Sequence, residues 1–193
     1  MTADEFRQWI DLPDNCGKRW ELIRGVPVEL PVWPASFHAL RMRVVGVLGD
    51  YVIRRGCGSV AFLGDGLITA RDLDTVRRPA AMVFLEPTPK ADFPLRFTTE
   101  VPALIVDLQP PGESPARQNR RLADYVVGFG VPLVWVVDPE ERCLFQYVPK
   151  RHPNVLDETD ELTGNGVLPD FSCRVSDLFS LPGQQPNSVP PTA

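Results

Sequence analysis

The stretch Val101–Asp138, VPALIVDLQPPGESPARQNRRLADYVVGFGVPLVWVVD, reads as strand, turn, helix and strand. Ala103–Leu108 and Leu133–Val137 are short, nearly continuous apolar runs, the pattern of strands covered by helices on both faces. Between them Ser114 and Pro115 supply an N-cap and a first-turn proline, and Gly128, Gly130 and Pro132 supply the stop, leaving about four helical turns. Leu122, Tyr125, Val126 and Phe129 fall at i, i+3, i+4 and i+7, so one stripe of the helix is predicted to pack on the sheet. Such a βαβ crossover predicts an α/β fold with its chemistry at the strand ends. Here the first strand runs out in a carboxylate, Asp107, just before the turn.

Outward from this unit, Thr2 or Asp4 caps a short helix carrying Phe6, Trp9 and Ile10 that stops before Pro13. Trp20–Leu30 alternates and breaks at Arg24-Gly25, the pattern of a β-hairpin with Glu21 near its start. Ser36 opens the longest helical pattern, with Leu40, Val44, Val47, Leu48, Tyr51 and Val52 at helical spacing until Gly56. Ser59–Leu63 and Gly66–Ala70 read as strands joined at Gly64-Asp65, followed by a charged loop, Arg71–Arg78, and a buried strand, Ala81–Leu85. Cys143–Val148 reads as a returning antiparallel edge strand and Val175–Phe179 as a short closing helix. Residues 1–181 are expected to form one domain. Residues 182–193, rich in Pro, Gln and Ser, have little to bury and are expected to be disordered.

The composition, 44% apolar and 23% charged over 193 residues, is that of one globular domain with a substantial core. A net charge of −5 gives no global attraction to nucleic acid or to anionic lipid, so any such binding needs a local basic patch. Cys16, Cys57, Cys143 and Cys173 are widely spaced without a Cys-x-x-Cys pair, which fits free thiols in a reducing compartment. The first residues carry acids and no apolar run, and no apolar run approaches ~18 residues. A soluble, cytoplasmic protein without membrane association is the expectation.

Only two histidines occur, His38 and His152, so a His-based metal site or proton relay has little to draw on. No Walker loop or complete dinucleotide fingerprint appears, and no nucleotide cofactor is expected. What remains are carboxylates at strands. Glu21 and Asp107, brought side by side in a sheet, would offer oxygen ligands to one Mg²⁺; equally, Glu21 is a solvated hairpin residue and Asp107 a turn cap. Arg117, Arg120 and Arg121 on the first turns of the crossover helix are candidates for phosphate contact. The alternative is a solvated face, or ion pairs with Asp124 and neighbouring acids.

RWELIRG in the hairpin, His38 at the start of the long helix, TVRRP before the buried strand, and PALIVDLQPPGES with LADYVVGFGVPLVWVVDPEER carry a resemblance. In that order they resemble the Uma2 family of putative restriction endonucleases, within the PD-(D/E)XK nuclease superfamily, over roughly Met1 to Phe179. The resemblance implies a restriction-endonuclease-like core, a mixed central sheet flanked by helices, with a divalent-metal site that hydrolyses DNA phosphodiesters. It assigns the metal to Glu21 and Asp107 and the remaining catalytic place to Arg121.

The match is incomplete in ways that bear on chemistry. Where the family has Pro-Asp this chain has Pro79-Ala80, and a methyl group cannot ligate Mg²⁺. Asp107 stands in place of glutamate, and Arg121 in place of a lysine; a guanidinium holds phosphate but takes no proton from water. Lys18, and Asp72 or Asp74, are the replacements within reach in the sequence. The expectation is therefore a catalytically impaired nuclease homologue acting through binding of DNA, of another protein or of a second copy of itself. The alternative is a working Mg²⁺-dependent DNA endonuclease.

Overall fold

The computed structural model describes residues 1–56, 58–62, 66–86 and 97–180. The chain runs α1 (Ala3–Trp9), β1 (Trp20–Ile23), β2 (Val26–Glu29), α2 (Ala35–Arg55), β3 (Ser59–Ala61), β4 (Gly66–Ala70), β5 (Thr75–Arg77), β6 (Ala81–Phe84) and β7 (Phe97–Thr98). It continues through β8 (Leu104–Leu108), α3 (Pro115–Ala123), a π turn (Asp124–Gly128), β9 (Val134–Asp138), β10 (Cys143–Tyr147), β11 (Asn154–Leu156), β12 (Glu161–Thr163), β13 (Ser172–Arg174) and α4 (Val175–Phe179).

The larger sheet has six strands in the order β11-β10-β9-β8-β6-β3. β8 and β9 pair in parallel across α3, while β6 and β10 flank them antiparallel, so the sheet is mixed. The period of two sorts its side chains onto two faces. Leu104, Val106, Leu108, Trp135 and Val137 join the main core under α2 and α4; Ile105, Val134 and Val136 pack on the other face with Leu122 and Tyr125 of the crossover. Asp107 shares the parity of Ile105 and so emerges on the crossover side. The predicted helical stripe is present, with Leu122 and Tyr125 buried and Val126 and Phe129 packed beside them.

The second sheet, β2-β1-β5-β4-β7, brings Glu21 to the same region. Arg24 (φ 49°) and Gly25 (φ 75°) turn the β1–β2 hairpin with two consecutive left-handed residues, the geometry of a two-residue hairpin loop. Thr2 caps α1: its Oγ1 accepts from the Glu5 N–H at 3.2 Å and the Glu5 carboxylate accepts from the Thr2 N–H at 2.7 Å. α2 starts at Ala35, one residue before the expected Ser36, and ends on Gly56 in the left-handed region.

Three sequence expectations are corrected. The charged segment Arg71–Arg78 contains β5, which lies inside the second sheet between β1 and β4. β3 and β4, read as neighbouring strands, lie in different sheets; their connection and the C-terminal tail fall outside the described residues. β10 is not an edge, because β11 pairs along it. Among the described residues no helix is long and apolar enough to cross a membrane, and Cys16, Cys143 and Cys173 are free thiols.

Candidate functional site

The two sheets and the crossover helix meet around four carboxylates. Glu21 on β1, Asp107 on β8, Arg77 on β5 and Arg121 on α3 are only 3%, 5%, 6% and 8% exposed, so their charges belong to the interior and must be paired there. Glu21 Oε2 accepts from Arg77 Nη1 at 2.7 Å, and its Oε1 accepts from the Arg78 backbone N–H at 3.0 Å. The other side of the Arg77 guanidinium donates through Nε and Nη2 to Asp124 Oδ2, at 2.9 and 2.6 Å.

Asp107 is held the same way. Its Oδ2 lies 2.6 Å from Arg121 Nε and accepts a longer bond of 3.4 Å from the Tyr125 hydroxyl, while its Oδ1 accepts from the Leu108 N–H at 3.1 Å. Arg121 Nη2 donates to Glu113 in the loop before α3. Asp124 and Tyr125 both belong to the π turn, where the wider backbone ring re-aims side chains, as it often does at functional sites. Two chains of charge result, Glu21–Arg77–Asp124 and Asp107–Arg121–Glu113.

The electrostatics follow from burial first. Burial pushes the Asp107 carboxyl up, Arg121 pulls it back and Glu21 adds to the rise, leaving it raised. Burial alone would lower Arg77 and Arg121, but Glu21 reverses this for Arg77 and Asp107 for Arg121, so both guanidiniums stay charged. Burial with the adjacent Asp107 and Glu21 also raises the Tyr125 phenol well above its usual range, and it remains a neutral donor.

A cleft of about 210 Å³ opens beside this network, lined by Glu21, Arg77, Glu113, Arg117, Arg120, Arg121 and the Pro110–Gly112 turn. Arg117 and Arg120 are exposed on its wall, whereas Arg121 is turned inward onto its two acids. Ala80 is fully buried and its methyl belongs to the main apolar core. Among the described residues no group of three or more His, Cys, Asp or Glu side chains is placed to hold a metal ion.

The substitutes considered from sequence are elsewhere. Lys18 lies 3.8 Å from Glu29 on the outer strand, Asp74 accepts from the Ala3 N–H at 2.6 Å, and Asp72 is exposed in the turn before β5. Of the ion pairs weighed as the alternative for Arg120 and Arg121, Asp124 pairs instead with Arg77, whereas Arg121 does pair with neighbouring acids, Asp107 and Glu113. Sequence reading missed Arg77, Glu113, Asp124 and Tyr125 as members of the site. For Arg77 no local pattern pointed inward: it ends a three-residue strand in a charged segment and pairs with Leu67 of β4.

A mixed sheet flanked by helices, with carboxylates gathered where its strands meet a crossover helix, makes this an α/β fold. The crystal structure of a putative nuclease belonging to DUF820, from Anabaena variabilis ATCC 29413, is 20% identical over 93% of this chain and 97% of its own. Its TM-score of 0.75 shows the shared restriction-endonuclease-like fold. Residues 3–176 match the Uma2 family, described as a putative restriction endonuclease, and the chain belongs to that family. No curated protein matches the sequence.

Proposed function

We propose that this protein is a nuclease homologue that binds nucleic acid and does not hydrolyse it. One observation carries the reading: the two carboxylates that the family resemblance assigns to the metal, Glu21 and Asp107, spend their oxygens on Arg77, Arg121, Tyr125 and backbone N–H groups. Mg²⁺ needs several oxygens in near-octahedral order. The donor set here has guanidiniums beside both acids and a methyl group at Ala80, and it does not fit that ion. The cations neutralise the acids in the metal's stead, while Arg117 and Arg120 present charge to a strand in the cleft.

Glu21 and Asp107 do line a common small cavity together with Arg121, and this favours the second reading, a Mg²⁺-dependent DNA endonuclease in which the guanidiniums swing aside. Incubation of supercoiled plasmid with the protein and Mg²⁺ or Mn²⁺ separates the two. The proposed function predicts retarded but intact plasmid. Metal-dependent nicking that disappears in Asp107→Asn overturns it.

A further inference from the structure

A second cluster of cations lies next to this network, outside the residues the family resemblance assigns. Arg19, just before β1, lays its guanidinium on the Trp33 indole, with Cζ 3.5 Å from the ring centroid. Arg41, from the second turn of α2, reaches the same ring with Cζ at 5.4 Å. Arg78, after β5, is close enough to Arg19 to repel it, as is Arg41.

Arg19 and Arg41 are not explained by the ion pairs that account for Arg77 and Arg121. Glu21 and Asp107 attract Arg19 from a distance, but among the described residues neither Arg19 nor Arg41 has a carboxylate within ion-pair distance. Two buried N–H donors also find no acceptor there, Trp33 Nε1 and Arg41 Nε, and Trp33 is 95% buried, being only 5% exposed. Burying a cation or an N–H without an acceptor is costly. Burial, opposed by the two acids and reinforced by the neighbouring cations, holds Arg19 down to about 10, still protonated at neutral pH.

An oxyanion answers all of these features at once, since it accepts several charge-assisted bonds and relieves like-charge repulsion. The adjoining cavity measures about 20 Å³, enough for one oxygen atom. Its walls include Arg19, Trp33, Arg78 and Arg121 together with Glu21 and Asp107, two acids that Arg77 and Arg121 already neutralise, while Arg41 lies outside its walls on the Trp33 ring. A phosphate would sink one oxygen there and keep its remaining atoms at the mouth. This cavity and the 210 Å³ cleft share Glu21, Leu30, Pro31, Pro110 and Arg121 as walls, so a strand lying in the cleft passes its entrance.

We infer that Arg19 and Arg41, gathered on Trp33, form a phosphate-binding site that fixes one phosphate of a nucleic-acid strand lying along the adjoining cleft. The source of the phosphate rests on the nucleic-acid-binding reading above; the oxyanion chemistry does not.

The test uses the full chain, inorganic phosphate titrated by calorimetry, and a labelled DNA duplex followed by anisotropy. Arg41→Gln and Trp33→Phe are compared with the wild type, the second keeping an aromatic face for Arg19 while removing the Nε1 donor together with part of the indole surface. Thermal unfolding checks that each variant is folded. The expected result is phosphate binding weakened about tenfold or more in Arg41→Gln, as loss of a charge-assisted bond implies, and a parallel loss of DNA affinity. Arg117→Gln weakens DNA binding and leaves phosphate binding alone. If DNA binding falls in Arg117→Gln but is unchanged in Arg41→Gln and Trp33→Phe, the nucleic-acid reading stands and the phosphate site is overturned. If phosphate binds and is lost in Arg41→Gln while DNA does not bind at all, the oxyanion site stands for a small phosphate ligand and the nucleic-acid reading is overturned. Absence of both kinds of binding overturns both.

Discussion

Arg77 Nη1 donates to Glu21 Oε2 over 2.7 Å, and the same guanidinium clamps Asp124 from its other edge, so one side chain ties β1, β5 and the π turn together. Removing a single partner from a buried pair leaves its opposite charge uncompensated, typically at about 3–5 kcal/mol. Arg77→Met is expected to lose stability on that scale in urea unfolding. Adding Glu21→Gln should return part of the loss, because the uncompensated acid is then gone. A single-variant loss below about 1 kcal/mol, the scale of an exposed pair, would contradict the clamp.

The second prediction concerns Ala80. Its methyl lies in the main core, fully buried, so Ala80→Asp places a carboxylate among apolar side chains. Paired with Arg121→Lys, which removes one guanidinium's grip on Asp107, the change tests whether a third carboxylate can turn out of that core to join Glu21 and Asp107 around a cation. In chelator the double variant should lose about 2 kcal/mol or more, as expected for a poorly compensated buried polar group. Millimolar Mg²⁺ should then raise its Tm, as for any ligand that binds only the folded state, while leaving the wild type unmoved. A double variant that folds but shows a Tm indifferent to Mg²⁺ means that the scaffold no longer frames a metal site.

These two side chains also show what a sequence can and cannot disclose. The crossover was legible because Ala103–Leu108 and Leu133–Val137 are apolar on both faces, a pattern that only a covered strand explains. The hairpin was legible from Arg24-Gly25. β5 was not: it is three residues long, and its Arg77 points a charge inward where polarity usually marks the outward face. Its partners are 56 and 47 positions away, a pairing that no local spacing encodes. Glu21, Asp107 and Arg121 could be singled out by type and place, yet their chemistry depends on which cation sits beside each acid. That is decided by the packing of β1 on β5 and of α3 on β8. Arg19 escaped notice because its main contact is the face of Trp33, an interaction without a sequence period.

Cys173 on β13 gives a prediction with a definite sign. Burial, with Asp177 adding and Arg43 opposing, pushes its thiol up to about 12 from an ordinary 9.0. Because the folded value is raised, the folded state favours the protonated thiol. That contribution to stability is fully present below about 9 and is lost as pH rises toward 12. At pH 8 roughly one molecule in ten thousand carries the thiolate, the only form that alkylates readily. Iodoacetamide labelling followed by peptide mass mapping should mark the exposed Cys16 long before Cys173. Rapid labelling of Cys173 at pH 8 in folded protein would count against this environment.

The last prediction follows from how the three arginines of α3 divide. Arg121 is occupied by Asp107 and Glu113, so its cation is already neutralised from within, whereas Arg117 and Arg120 stand exposed on the cleft wall. Only a cation free to meet a phosphate releases a counterion from duplex DNA, each such contact contributing about −0.9 to the slope of log K against log salt. Replacing Arg117 and Arg120 by Gln should therefore make that slope shallower by about 1.8, with little change in unfolding midpoint, since exposed side chains off the network carry little stability. Arg121→Gln should behave in the opposite way: the fold weakens because Asp107 and Glu113 lose their shared partner, and the slope in the folded fraction hardly moves. Anisotropy titrations of one duplex at several salt concentrations, beside urea unfolding of the same variants, read both quantities. A slope that drops with Arg121 and not with Arg117 and Arg120 would sink the division of roles argued from the cleft.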